Sequence, residues 1–559
     1  MSDPLIPEAE SIFVCDCHGS KGSACAGEPF YGEHESKRYC VLHFPSVTKR
    51  ADFEQAFQKK LVNEDFDFRG VWFPDAPGIP NEFKKDVDFS STTFHGVADF
   101  RGVIFRGAAK FDDASFGPLV LFNSARFAGP AHFHGASFVG LANFSSVTFN
   151  EQASFLAGEF SNSAIFHHAA FNKDADFTGV KLTGLAYFCS VTFFKDVEFK
   201  HAKFNTADFK YASFGGSAKF ENSVFGSNAD FFSATFGALV NFCSVAFMDT
   251  SNFRKAVFHA LASFERTTFS GGAYFSAASF KSDALFSEAT FGSSASFGRT
   301  SFATKADFSY AHFNGRAGFA GDDQQRVFSD ESAFDLQFST VEKSGDLAFH
   351  TLTLRPHWFV NVDARRFEFI NVKWHWRSVG LEIKSLIDRR IVSPHSLLAI
   401  ACRQLAVNSE ENHRYKEASD FRYMAMDAGR QEHWRGFAFW GLSWLYWFAS
   451  GYGERAVRAS VVLFGLLLLF ATLYTAVGFA RWEPKLGSES DVATAKRDEV
   501  GAPLPLTRAL AYSAGVMTFQ KPEPRPATPA AQTIVLLETI LGPLQAALLA
   551  LAIRRKFMR

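Results

Sequence analysis

Residues 89–127 read FSSTTFHGVADFRGVIFRGAAKFDDASFGPLVLFNSARF, and the spacing of Phe in this stretch decides the fold. Phe89, Phe94, Phe100, Phe105, Phe111, Phe116, Phe122 and Phe127 fall at separations of five and six in strict alternation, an 11-residue unit. The register runs on to Phe319: of its 43 sites only Leu182 is not Phe, and one residue is missing between Phe204 and Phe209. Ahead of each Phe, two positions back, stands a small or β-branched residue such as Ala98, Val103, Ala109, Ala114 or Val120. An 11-residue period also suits a right-handed helical coiled coil. On a helix, however, positions two apart lie about 200° apart and positions five apart about 140°, so no shared apolar stripe forms. In a strand, residues two apart share a face, so the small residue and its Phe both point inward while the polar residue between them points out. The pattern therefore predicts short strands separated by corners, with one side of a coil for each five or six residues.

Ala98-Asp99-Phe100, Ala207-Asp208-Phe209 and Ala306-Asp307-Phe308 resemble the units of the pentapeptide-repeat family. That resemblance implies a mainly β chain wound as a right-handed quadrilateral β-helix. Here it takes an 11-residue variant, in which the sixth residue of alternate units reads as a bulge or wider corner. At four sides per coil, the 43 sites make about 11 coils, a rod about 50 Å long. Between residues 89 and 319 there are 18 Lys+Arg and 17 Asp+Glu, so this rod is not the polyanion a DNA mimic requires. The whole chain balances 57 Lys+Arg against 58 Asp+Glu, which argues against a nucleic-acid partner. Gly292 to Thr300 looks superficially like a phosphate loop, but its glycine spacing is one too long and Phe297 belongs to the register. With no nucleophile elbow or metallohydrolase pair either, a non-enzymatic role is expected.

The two ends of the rod differ from its middle. Residues 1–50 hold Cys15, Cys25, Cys40 and His43 in a C-x9-C-x14-C-x2-H pattern, with Cys17, His18 and His34 as substitutes. The segment resembles small Cys3His zinc knuckles, which implies one Zn²⁺ on those four residues; a reduced, unfolded tail is the alternative. Residues 51–88 place Phe53, Phe57 and Leu61 at helical spacing and then Phe68 and Phe73, and read as an N-terminal cap for the exposed end of a solenoid. After Phe319 the register dissolves, so residues 320–392 read as an irregular C-terminal cap. Residues 393–433 switch to helical spacing, through Leu397, Leu398, Ala401 and Leu405 and then Tyr415, Ala418, Phe421 and Met424, and predict a helical hairpin.

Residues 434–559 read as a membrane module. Residues 457–479 and 533–553 are apolar enough to cross the bilayer, and 506–519 make an apolar stretch too short to do so. Trp440, Trp444, Tyr446 and Trp447 suit an interfacial belt. Basic residues at Arg455, Arg458 and Arg554 to Arg559 predict that both termini and the rod lie in the cytoplasm. Two spans around a half-span resemble the two-span ion-channel modules fused to some bacterial pentapeptide-repeat proteins, with Ser450-Gly451-Tyr452-Gly453-Glu454-Arg455 leading into the first span. The resemblance implies a bacterial inner membrane, assembly as a homo-oligomer, and pore-like positions at Tyr512, Ser513, Thr518, Phe519, Glu538 and Gly542. Where a potassium filter would stand, the chain has Thr518-Phe519-Gln520-Lys521-Pro522-Glu523-Pro524, which lacks the glycine-rich carbonyl ladder. Glu538 either faces an aqueous path or locks one helix to another. The expectation is a membrane-anchored scaffold or sensor whose rod docks an unknown protein partner; a weakly selective cation channel gated through the rod is the alternative.

Overall fold

Each turn of the rod contributes four short strands, and along most of the rod a strand pairs in parallel with the one 22 residues on, or 21 residues on where the register lacks a residue. Thr93 lies opposite Ser115, Val97 opposite Leu119, Ile104 opposite Arg126 and Ala109 opposite Ala131. These pairings are those of a computed structural model that describes residues 13–17, 25, 28–322, 326–343, 346–432, 441–480 and 503–557. It divides into two units, Met1–Leu354 with Arg366–Trp374, and Arg355–Arg365 with His375–Arg559.

The first unit is a β-solenoid of about 14 turns built from the repeats. At ~4.8 Å per turn its ladders extend about 65 Å. It exceeds the count from the Phe register because pairing continues past Phe319: Phe349 and Phe369 extend the column of Phe319, and Leu354 lies opposite Trp374. Inside, the Phe rings form columns. Phe100 and Phe122 stack at 4.7 Å and 3°, and Phe111 and Phe133 at 4.8 Å and 4°. Neighbouring columns meet edge to face, as Phe111 meets Phe122 at 5.4 Å. Both arrangements suit the ring quadrupole. A few hydroxyls replace the small inward residue and find carbonyl partners: Thr92 and Thr267 donate to the carbonyls of Phe68 and Phe242 at 2.9 and 2.8 Å.

The two kinds of step turn in different ways. Left-handed residues occur in the five-residue steps, two positions after Phe, as at Ser91, Asp113, Ser124 and Ser146 with φ of 55–60°. A five-residue step has less chain with which to turn, and a left-handed residue tightens it. The six-residue steps turn with their extra residue, and turns approach closely there. A Cβ at Gly140 would lie 1.8 Å from the Pro118 carbonyl oxygen, so only glycine fits. The missing residue is absorbed as a bulge: Leu182 pairs with Phe204 and Leu185 with Thr206, so Thr183 and Gly184 oppose Asn205 alone.

Helix α1, Arg50–Val62, covers the first turn, with Phe53 and Phe57 against Phe73 at 5.2 and 5.5 Å. The second unit is helical. Helix α2, Val379–Asp388, lies inside the region read as an irregular cap. Its Val379, Ile383 and Leu386 are buried at helical spacing. The hairpin is α3, Pro394–Glu411, and α4, Tyr415–Glu432. Then come α5, Leu442–Ser450; α6, Ala456–Tyr474; α7, Leu506–Met517; and α8, Pro529–Phe557. Two of these, α6 and α8, are long and apolar enough to cross a membrane. The first ends at Tyr474, five residues earlier than expected. Beyond it the chain turns at Thr475 and Ala476, and Phe479 bridges to Pro526.

Candidate functional site

The Cys/His cluster is assembled by a β-hairpin, β1 Phe30–His34 and β2 Lys37–Cys40. The chain turns directly after β2, with the amides of His43 and Phe44 donating to the Cys40 carbonyl at 3.1 and 3.0 Å. That turn sets the His43 Nδ1 3.1 Å from the Cys40 Sγ. Residues 15–17 are clamped beside the hairpin by two bonds between Asp16 and Arg38, each 2.8 Å. The Cys40 amide then donates to the Cys15 Sγ at 3.3 Å. Cys17 and Cys25 stand with their sulfurs 3.9 Å apart. The donor atoms of Cys15, Cys17, Cys25 and His43 all lie within 4.8 Å of one another.

Cys17 thus joins Cys15, Cys25 and His43 in the mutually close group, and Cys40 adjoins it through His43. The spacing of Cys17 from Cys15 gave no sign of which thiols would meet. His34 is half-exposed beside Glu35 at 3.9 Å, and His18 lies outside the described residues.

The surroundings suit a metal. The Nε2 of His43 lies 3.0 Å from the Arg69 carbonyl, which can only accept, so Nε2 carries the proton and Nδ1 is left as a donor atom facing the thiols. Hydrogen bonds from Cys17, Cys25 and Cys40 push the Cys15 thiol far down, while its thiolate pushes theirs up. A tetrahedral Zn²⁺ with bonds of ~2.3 Å to sulfur requires sulfurs about 3.8 Å apart, close to the spacing of Cys17 and Cys25.

The cluster is joined to the rod. The Trp72 amide donates to the Leu42 carbonyl at 3.0 Å. Lys49, fully buried, donates to the carbonyls of Val41 and Leu42 at 2.6 and 2.8 Å over the rings of Phe53 and Trp72. Burial pushes its ammonium down to about 7.

Of the residues expected to line a pore, Tyr512, Ser513, Glu538 and Gly542 are buried inside one chain, while Thr518 and Phe519 are exposed. Both carboxylate oxygens of Glu538 on α8 are occupied, one by the Tyr474 hydroxyl of α6 and one by the Ser513 hydroxyl of α7. Tyr512 packs edge-on against Tyr474 and Phe479, each at 5.0 Å. Gly542 lets α7 seat on α8, since a Cβ there would meet Met517 at 2.7 Å. Thr518 and Phe519 close α7: the Thr518 hydroxyl donates to the Ala514 carbonyl at 2.9 Å, and the Phe519 amide to that of Val516 at 3.1 Å. These carbonyls serve a helix cap. Glu538 thus ties α8 to α6 and α7 within one chain.

The buried stripe of α8 is small or polar, with Ala531, Glu538, Gln545 and Ala552 at intervals of seven. Gln545 donates to the carbonyls of Ala449 and Ala459 at 2.7 and 2.9 Å. The exposed stripes are apolar: Leu537, Ile540, Leu541 and Leu544 on α8, and Val457, Val461, Phe464 and Leu468 on α6. Polar ties inside and apolar surface outside are what a hydrocarbon surrounding favours.

Of the interfacial aromatics, Trp444 stacks on Phe448 at 5.5 Å beside the exposed Leu445. Trp447 instead turns inward and donates from Nε1 to the Tyr423 hydroxyl of α4 at 3.0 Å, and Tyr446 packs on Tyr452 at 5.7 Å. Trp440 lies outside the described residues.

If Glu538 is a lock, Glu538→Ala strands two buried hydroxyls, at about 1–3 kcal/mol each. The purified chain in detergent should then melt several degrees earlier, with Glu538→Gln retaining most of the loss. Equal melting of Glu538→Ala and wild type would show that the carboxylate holds nothing.

A family model described as Pentapeptide repeats matches the chain in nine copies, over residues 82–121, 159–203 and 253–301. No curated protein and no solved structure matches. Repeated Phe columns, parallel pairing at a 22-residue interval along most of the rod and the matched segments agree, and the rod of this chain is a pentapeptide-repeat solenoid.

Proposed function

We propose that this protein is a membrane-anchored scaffold. The pentapeptide-repeat rod is its docking surface on the cytoplasmic side, and α5 to α8 form a channel-like anchor. The observation that carries this reading is the pairing of Glu538 within its own chain. A carboxylate that gives both oxygens to Tyr474 and Ser513 stabilises one helix packing and is not free to face a permeating ion. Apolar stripes on α6 and α8 supply the surface that lipid, or a second copy of the chain, would cover.

The Cys/His cluster is proposed to hold one Zn²⁺ on Cys15, Cys25, His43 and either Cys40 or Cys17. Its work would be structural: it pins the knuckle over the open ladder edge of the first turn, where an unpaired solenoid end invites end-to-end association.

The topology is tested by an engineered cysteine. Ser490→Cys should react with a membrane-impermeant maleimide in intact cells, while a cysteine appended to the C-terminus should not. The reverse labelling would place the rod on the other side of the membrane. Bilayer recordings of the purified chain are expected to be silent; cation currents reduced by Glu538→Gln would instead establish the channel.

A further inference from the structure

The segment Ser450-Gly451-Tyr452-Gly453-Glu454-Arg455 has no part in a filter, yet its structure is unusual. Gly451, Tyr452 and Gly453 are three consecutive left-handed residues, with φ of 55, 61 and 71°. Tyr452, which carries a side chain, is rarely found there, so its surroundings must hold it. They do: its hydroxyl lies 3.1 Å from Arg430 Nε and 3.5 Å from Asp427, and its ring packs on Tyr423 and Tyr446. A Cβ at Gly453 would lie 2.9 Å from the Tyr446 hydroxyl and 3.2 Å from Leu551 of α8, so the turn is pressed between α5 and α8.

This turn buries a carboxylate. The Glu454 side chain is 1% exposed. It accepts from the Ser419 hydroxyl at 2.7 Å and from Arg422 Nε at 3.0 Å, both on α4, and from Arg555 Nη1 on the last turns of α8 at 3.0 Å. Arg422 reaches on to Glu410 of α3 at 2.9 Å, and Arg555 also donates to the Tyr452 carbonyl at 3.2 Å. Next to it Arg455, the residue before α6, pairs with Asp420 of α4. One buried anion thus touches the polar helix pair, the entry to the first apolar helix and the end of the second.

We infer that Glu454 is a latch coupling the α3–α4 pair to both apolar helices at once, so that displacing α4 must move the start of α6 and the end of α8 together. A buried carboxylate shared by two guanidinium groups is suited to this: removing it leaves two cations without their common anion, and the packed arrangement has no intermediate position. The inference is independent of conduction and of the direction in which the helices cross a membrane.

Hydrogen–deuterium exchange of the full chain in detergent tests it, comparing wild type, Glu454→Gln and Arg555→Met. With Glu454→Gln, amides of α4 and of residues 551–557 should exchange at least about tenfold faster, both together, while those around Tyr474, Ser513 and Glu538 keep their protection. Arg555→Met should release the end of α8 and leave α4 protected, and adding it to Glu454→Gln should loosen the α8 end no further. Unchanged exchange in α4 and the α8 end would overturn the latch. So would faster exchange spread through all of α6 to α8, which marks general loosening.

Discussion

Phe209→Asp should destroy the middle of the rod. The ring of Phe209 is fully buried, stacked between Phe188 at 4.8 Å and Phe231 at 4.9 Å and edge-on to Phe199 and Phe220. Truncating a buried Phe costs about 3–5 kcal/mol, and an unpaired carboxylate among rings adds several more. Because each turn of a solenoid touches only its neighbours, the damage should be local. Limited proteolysis should cut within residues 180–240 of the variant and leave the same stretch of the wild type intact. Phe209→Leu should cost only about 1–2 kcal/mol, since Leu182 already occupies an equivalent site between Phe160 and Phe204. A Phe209→Asp chain as resistant as wild type would mean that the columns do not hold the rod.

Removing zinc should have the next largest effect. Structural Zn²⁺ contributes on the order of 10 kcal/mol to small knuckles of this kind, which rarely fold without it. Chain purified without chelator is expected to carry one zinc by elemental analysis. Stripping it should expose residues 13–45 to protease while the rod beyond α1 persists. Cys15→Ser should abolish binding. Cys17→Ser and Cys40→Ser should each retain zinc, because the other thiol can take the fourth position, and the double variant should lose it. Metal-free protein from zinc-replete cells would contradict the site.

The rod was readable because its constraint is periodic: one residue type at two alternating intervals leaves only a strand with corners. What the arithmetic missed lies where it stops. Phe328, Phe349 and Phe369 continue the ladders beyond Phe319, with Val341 in place of one Phe, but the stretches between them vary in length, so the last turns looked irregular. The left-handed residues of the five-residue steps were not legible, because spacing shows where a residue is added and not which step needs a left-handed turn. The Cys/His donors were legible as residue types, whereas the entry of Cys17 depends on Asp16 and Arg38 folding residues 15–17 onto the hairpin. Glu538 could be seen to need a partner, but Tyr474 and Ser513 stand 64 and 25 residues away, and nothing local names them. The sequence marks Ser450 to Arg455 only as the lead into the first span, and its left-handed conformation and buried Glu454 emerge only in three dimensions.

The central claim is that α5 to α8 anchor this rod in a membrane. Alkaline carbonate extraction of cells making the full chain, beside a chain ending at residue 432, measures it directly. The account predicts that the full chain stays in the membrane pellet and the shortened one passes to the supernatant. Release of the full chain into the supernatant would contradict it.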